Sequence, residues 1–162
     1  MRLPLRLVVV AVGRLRIPWA QAACSDYGER LKHRFKFELV EVKEADRRGG
    51  SKDVSRQKED EAVSIWAAVP TGATVLALDE RGLSFTSPQL AAFVDDAANR
   101  SKSALCLLVG GPDGHTDATR ERADRLWSLG TLTLPHELAR IVLLEQLYRA
   151  ATINAGEPYH RA

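Results

Sequence analysis

The sequence predicts an α/β fold, a mostly parallel sheet flanked by helices, on three observations. Short apolar runs rich in β-branched residues or leucine recur along the chain, and segments with helix-start signals lie between them. The runs are continuous rather than alternating, as in strands covered on both faces.

Taken in order, the candidate strands are residues 5–12, 37–42, 74–78, 104–109 and 132–134. Pro18 opens the first helix, Asp53 precedes the second, and Ser87 caps the third with Pro88 in its first turn. A fourth helix follows Asp117. The last, roughly 136–153, has Leu138, Ile141, Leu144, Leu147, Tyr148 and Ala151 at helical spacing behind Pro135. Residues 47–55 are polar and contain glycine, and read as a flexible loop.

With 162 residues, 45% of them hydrophobic and 27% charged, the chain can bury one sizeable core, so a single domain over 1–162 is expected. Disordered and fibrous classes are excluded by composition. The net charge of +2 hides an asymmetry: residues 1–60 carry 14 Lys/Arg against 9 Asp/Glu. Arg30, Lys32, Arg34 and Lys36, followed by Lys43, Arg47, Arg48 and Lys52, form either a phosphate-holding surface or a solvated basic face.

Cys24 and Cys106 are too far apart for a zinc or redox spacing and read as free thiols of a reducing compartment. The charged start, the apolar run 7–12 and Ala-Ala-Cys at 22–24 resemble a lipoprotein signal. The run is too short for one, and Arg14 and Arg16 interrupt it, so a cytoplasmic protein without a membrane segment is expected.

Four features carry possible chemistry. Gly110-Gly111-Pro112-Asp113-Gly114 follows a buried-looking strand, where open α/β sheets bind ligands; an ordinary strand-to-helix turn reads the same way. It is neither a dinucleotide fingerprint nor a phosphate loop. The run from Leu129 to His136 has strand character and leads into the last helix. On that helix Glu145 and Arg149, four apart, can pair on one face. Finally, Pro158-Tyr159-His160-Arg161 sets an aromatic ring, an imidazole and a guanidinium side by side, suited to stacking on a base and gripping a phosphate.

The stretch LGTLTLPHELARIVLLEQLYRAATINAGEPYHR, residues 129–161, strongly resembles the RlmH family of the SPOUT class, which methylates large-subunit ribosomal RNA. The similarity extends to Ala11-Val12-Gly13, Arg47-Arg48-Gly49, Leu76-Ala77-Leu78-Asp79, Ser87-Pro88-Gln89-Leu90 and the Gly110-Gly111-Pro112 loop. The chain departs from the family at Asp113, where the family has glutamate before the glycine, and in a few residues ahead of the usual start.

The resemblance implies a SPOUT-type α/β knot, in which the C-terminal segment threads through a loop to build the pocket for S-adenosylmethionine. It implies that Leu78, Gly110, Leu129, Gly130, Thr131, Leu132, Thr133 and Leu134 line that pocket. It further implies a homodimer whose active site combines both subunits, with N3 of a pseudouridine in a 23S rRNA stem-loop as the target.

That nitrogen carries a proton at neutral pH, so a base must remove it. His136, Glu145 and His160 are the candidate bases or proton relays, Tyr159 stacks on or hydrogen-bonds the base, and Arg149 and Arg161 hold phosphate or imide oxygen. No metal is called for. Two rival expectations remain open: a ribosome-binding factor without chemistry, and a related enzyme acting on a different RNA.

Overall fold

The computed structural model describes residues 4–46, 53–100 and 104–160. The elements are β1 (Arg6–Val12), α1 (Pro18–Lys32), β2 (Lys36–Val42), α2 (Val54–Ala68), β3 (Thr74–Leu83), α3 (Ser87–Asn99), β4 (Leu105–Val109), α4 (Asp117–Arg122), β5 (Arg125–Trp127) and α5 (His136–Asn154). The five strands form one sheet in the order β2-β1-β4-β3-β5, and every pairing is parallel.

The two-residue period of a strand divides the continuous apolar runs between two cores. From β1 and β4, Leu7, Val9, Ala11, Leu105, Leu107 and Val109 point into the larger core. There they meet Cys24 and Leu31 of α1, Leu90 and Val94 of α3, and Leu143, Leu144 and Leu147 of α5. Their neighbours Val8, Val10, Val12, Cys106 and Leu108 face the opposite side, against Ile65 of α2. Each fully buried leucine stabilises the fold by roughly 1.5–3 kcal/mol of transfer free energy. Both cysteines are free and buried, and burial pushes the Cys106 thiol up to about 12.

Local chemistry sets the helix starts. Pro18 occupies the first turn of α1. The Asp53 carboxylate accepts from the Arg56 N–H, so α2 begins at Val54 and takes in the end of the stretch expected to be a loop. Residues 47–52 of that stretch lie outside the described residues. The cap of α3 is Thr86 rather than Ser87, because Thr86 and Gln89 bond reciprocally in a capping box. Pro135 stands one residue before α5, at the cap.

One expected strand is absent. Residues 132–134 pair with no strand, and Leu132 is 80% exposed. The outer edge of β3 is taken by Arg125–Trp127 instead, and the chain leaves it through Ser128 and Gly130. The Ser128 hydroxyl accepts from the Gly130 N–H and donates to the Gly130 carbonyl, and Gly130 sits at φ 137°, which turns the backbone away from the sheet.

Because the strands are parallel, their carboxyl ends lie along one edge. From β5, residues 128–135 cross that edge past β3 and β4, and α5 begins beside the end of β1. Two side chains fasten it there. Glu137 Oε1 accepts from the Arg16 and Ile17 N–H groups at 2.6 and 3.1 Å. Arg140, fully buried, donates to the Val12 and Gly13 carbonyls at 3.5 and 3.1 Å and to Glu41 at 2.7 Å. Arg140→Ala leaves Glu41 and two carbonyls without their donor, and since Glu41 reaches solvent the expected loss is near the low end for a broken buried pair, about 3 kcal/mol. Urea unfolding monitored by circular dichroism measures it; a change under ~0.5 kcal/mol would show that the guanidinium holds nothing.

Candidate active site

A cleft with two lobes opens along the carboxyl edge. One, of about 690 Å³, is lined by residues 78–82, Ser84, residues 127–134 and Ala139. The other, of about 480 Å³, is lined by residues 78–80, 109–114, Arg120, residues 134–136 and Ala139. Leu78, Asp79, Glu80, Leu134 and Ala139 belong to both.

All eight residues expected at the cofactor pocket, Leu78, Gly110, Leu129, Gly130, Thr131, Leu132, Thr133 and Leu134, line this cleft, and His136 stands at its rim. A wider groove of about 760 Å³ between α1 and β2 contains none of them. The walls of the two-lobed cleft are aliphatic at Leu78, Leu129 and Leu134, suited to the faces of an adenine ring. Glu80 adds an exposed carboxylate to one wall, whereas Asp79 beside it is buried and paired with Arg120. Asp79 is held in place by the Arg81 N–H at 2.9 Å and by Arg120 Nε at 2.8 Å.

The glycine loop turns tightly on itself. A Cβ on Gly110 would lie 3.2 Å from the Gly114 carbonyl carbon and 3.3 Å from the His115 ring, so only glycine leaves the loop its present shape. His115, unremarked in the sequence, is buried beneath it, with Nε2 3.4 Å from the Leu108 carbonyl and Nδ1 without a hydrogen-bond partner among the described residues. Burial holds this imidazole below its ordinary value.

A second cluster lies at the other end of α5. Glu145 Oε1 accepts from Arg149 Nε at 3.0 Å, Arg149 Nη2 at 2.7 Å and the Tyr159 hydroxyl at 3.0 Å, and its Oε2 accepts from Gln146. Tyr159 packs edge-on against Tyr148 at 4.8 Å, lies beneath the Arg149 guanidinium, and has its hydroxyl 3.5 Å from that of Tyr27. Burial first, then the hydrogen bonds to Tyr27 and Glu145, hold the Tyr159 phenol well above its usual range, so it is a proton-bearing donor. Arg34 grips Glu157 with both terminal nitrogens and ties the tail to α1.

His160 follows Tyr159 with Nδ1 lacking a partner among the described residues, and Arg161 lies outside them. Sequence reasoning missed Tyr27, Tyr148 and the Arg34–Glu157 pair. Of the basic cluster it named, Arg30, Lys32 and Arg34 are spent on Asp26, Glu29 and Glu157.

The structure therefore sorts the expected site residues into two sets. His136 and Glu145 are separated by nine positions of one helix, about 13 Å at 1.5 Å per residue, and Arg149 lies a further turn away. Within one subunit Glu145, Arg149 and Tyr159 do not line the cleft.

Residues 5–160 match the family model described as predicted SPOUT methyltransferase. The chain is 43% identical over 157 residues to ribosomal RNA large subunit methyltransferase H of Thioalkalivibrio sulfidiphilus, covering 97% of this chain and 99% of that one. The protein of the same name from Paracidovorax citrulli is 46% identical over 158 residues, with the same shares covered. Among solved structures, a probable methyltransferase from Bordetella pertussis has the same fold at a TM-score of 0.53 and 14% identity, over 92% of this chain and 95% of that one. A protein studied for 2-OH methylation of C/U34 on tRNA aligns at a TM-score of 0.52 and 17% identity, over 95% and 99%.

The chain belongs to the SPOUT methyltransferase family, and the path of residues 128–154 is that family's knotted C-terminus. It is a methyltransferase.

Two outcomes are expected here. A Cβ on Gly82 would fall 2.5–2.6 Å from the Leu126 and Trp127 backbone, so Gly82→Ala must push β3 and β5 apart. Calorimetric titration with the cofactor should show at least a tenfold weaker Kd, and an unchanged Kd would mean that the strand spacing does not shape the cleft. For His115, the folded-state pKa lies below the unfolded one, so the unfolded chain binds the extra proton and stability falls as pH drops below about 6.5. His115→Leu should flatten the change in urea midpoint between about pH 7.5 and 5.5; an equal change in both proteins would acquit the imidazole.

Proposed function

We propose that this protein methylates N3 of a pseudouridine in a stem-loop of large-subunit ribosomal RNA, working as a homodimer in the cytoplasm. The observation that carries this reading is the pairing of a cleft suited to S-adenosylmethionine with near-full-length identity to proteins named for ribosomal RNA methylation. Among the described residues no helix is long and apolar enough to cross a membrane.

The dimer is part of the mechanism. Within the cleft Trp127 is buried and Arg120 is paired with Asp79, while the far end of α5 presents Tyr159 and Arg149 with no cofactor pocket beside them. An isologous two-fold pairing brings the partner subunit's Tyr159, His160 and Arg149 to each cleft.

Leu78, Gly110, Leu129, Gly130, Thr131, Leu132, Thr133 and Leu134 hold the cofactor, whose sulfonium supplies an electrophilic methyl group. Arg149 neutralises charge on the imide oxygen as N3 loses its proton, and Tyr159 stacks on the ring or donates to it. Both carboxylate oxygens of Glu145 are occupied, so Glu145 fixes Arg149 and Tyr159 rather than taking the proton. An imidazole takes the proton from N3: His136 at the rim, or His160 of the partner subunit. By fixing the base beside the cofactor pocket, these residues would hold N3 in line with the methyl group that S-adenosylmethionine would supply, and that alignment would account for much of the acceleration.

Purified protein incubated with methyl-labelled S-adenosylmethionine and ribosomes lacking this methylation should yield label in N3-methylpseudouridine. Label in another nucleoside would transfer the reading to a different RNA target, and binding without transfer would end it. Arg149→Ala should lower methyl transfer at least a hundredfold, with cofactor Kd unchanged. Mixing Gly110→Val with Arg149→Ala subunits should restore about a quarter of wild-type activity if the site is shared between subunits, and none if it lies within one.

A further inference from the structure

The β1–α1 connection leaves the sheet at the rim of the cleft and carries side chains that neither the fold nor the mechanism above uses. The Gly13 N–H donates to the Val42 carbonyl, which sets Lys43 beside Gly13. Arg16 and Ile17 are bonded to Glu137, the residue after His136 at the cleft's rim. A Cβ on Gly111 would meet Val12 Cγ1 at 3.1 Å, so the end of β1 is packed against the glycine loop itself.

In the first turn of α1, directly after this connection, Trp19 is 57% exposed, whereas Trp66 is half-buried and Trp127 buried. The Arg16 side chain is 84% exposed and touches Glu44 only at 4.0 Å. Arg14 and Lys43 are exposed and take part in no ion pair among the described residues, and the first turn of α1 contains no acidic residue. An exposed indole that follows a loop fastened by Glu137, with Arg14 and Arg16 exposed on that loop and Lys43 beside Gly13, is a platform with charge of the sign that attracts a phosphate backbone.

Resting on the RNA-methyltransferase reading, we propose that this platform holds the substrate RNA beside the target nucleotide. Trp19 stacks on an unpaired base, and Arg14, Arg16 and Lys43 hold its flanking phosphates. Single-stranded loops are recognised in this way, because every base presents a face to an aromatic ring whatever its sequence. The platform thus fixes where the strand lies, and the cleft decides which nucleotide reacts.

The test is fluorescence anisotropy with a labelled RNA stem-loop copied from the methylated region, titrated with full-length protein saturated with S-adenosylhomocysteine. Trp19→Ala should bind at least tenfold more weakly and Trp19→Phe within threefold of wild type. Arg14→Ala should reduce the slope of log K against log salt by about one. Cofactor Kd and sedimentation mass should not change, since Trp19 is exposed and remote from the cofactor's walls. Equal RNA affinity of Trp19→Ala and wild type, in a protein that methylates ribosomes, would overturn the platform alone. A fall in mass on Trp19→Ala would overturn it too, by showing that a second copy of the chain covers the indole. A wild-type protein that neither binds this RNA nor transfers methyl would remove the RNA-methyltransferase reading, and the platform with it.

Discussion

The arrangement of this molecule depends on a guanidinium placed where a leucine would be expected. Arg140 faces the end of β1 from the second turn of α5, and its bonds to Glu41 and to the Val12 and Gly13 carbonyls join three segments distant in sequence. An aliphatic side chain would fill the same space without specifying a partner. The arginine requires carbonyls and a carboxylate at set distances, and so fixes the position of the helix start. Glu137, one turn earlier, does the same for the loop after β1. Residues 128–135 are suspended between this anchor and β5, and the cleft takes its shape from that suspension.

A helix of 19 residues then does two unrelated tasks. Its first turn borders the cleft, while its last three turns display Glu145 and Arg149 to Tyr159. Burying both carboxylate oxygens of Glu145 in hydrogen bonds makes that residue a scaffold, and leaves Arg149 and Tyr159 in one geometry with few rotamers to lose on binding a substrate. The proton-bearing phenol and the paired guanidinium are donors. In the proposed reaction, acceptance of the proton is left to an imidazole.

Much of this was legible in the residues. The apolar runs of β1, β2, β3 and β4 are long and β-branched enough to declare themselves, and Pro18, Asp53 and Pro135 mark real helix starts. The failures have physical causes. Leu132, Thr133 and Leu134 alternate like a strand, but a strand needs an edge to pair with, and Arg125–Trp127 already holds it. Three residues with one buried side chain carry almost no periodic signal. The eight residues expected at the cofactor pocket came from resemblance, because loops that line a cleft leave little trace in side-chain pattern. Tyr27 and the pairing of Arg34 with Glu157 escaped notice because the partners are more than 120 residues away, and no local spacing encodes such a meeting.

The order of the anchors along the chain bears on how the molecule is made. The end of β1, the glycine loop and β5, which together frame the passage for residues 128–154, are all synthesised before the segment that goes through it. A chain emerging from amino to carboxyl end can therefore prepare the opening before the thread exists, and seating Arg140 becomes the closing event of assembly. A charged side chain that is buried only after threading pulls the helix home on arrival and resists its withdrawal, so the lock that shapes the cleft is also a ratchet on the route to it.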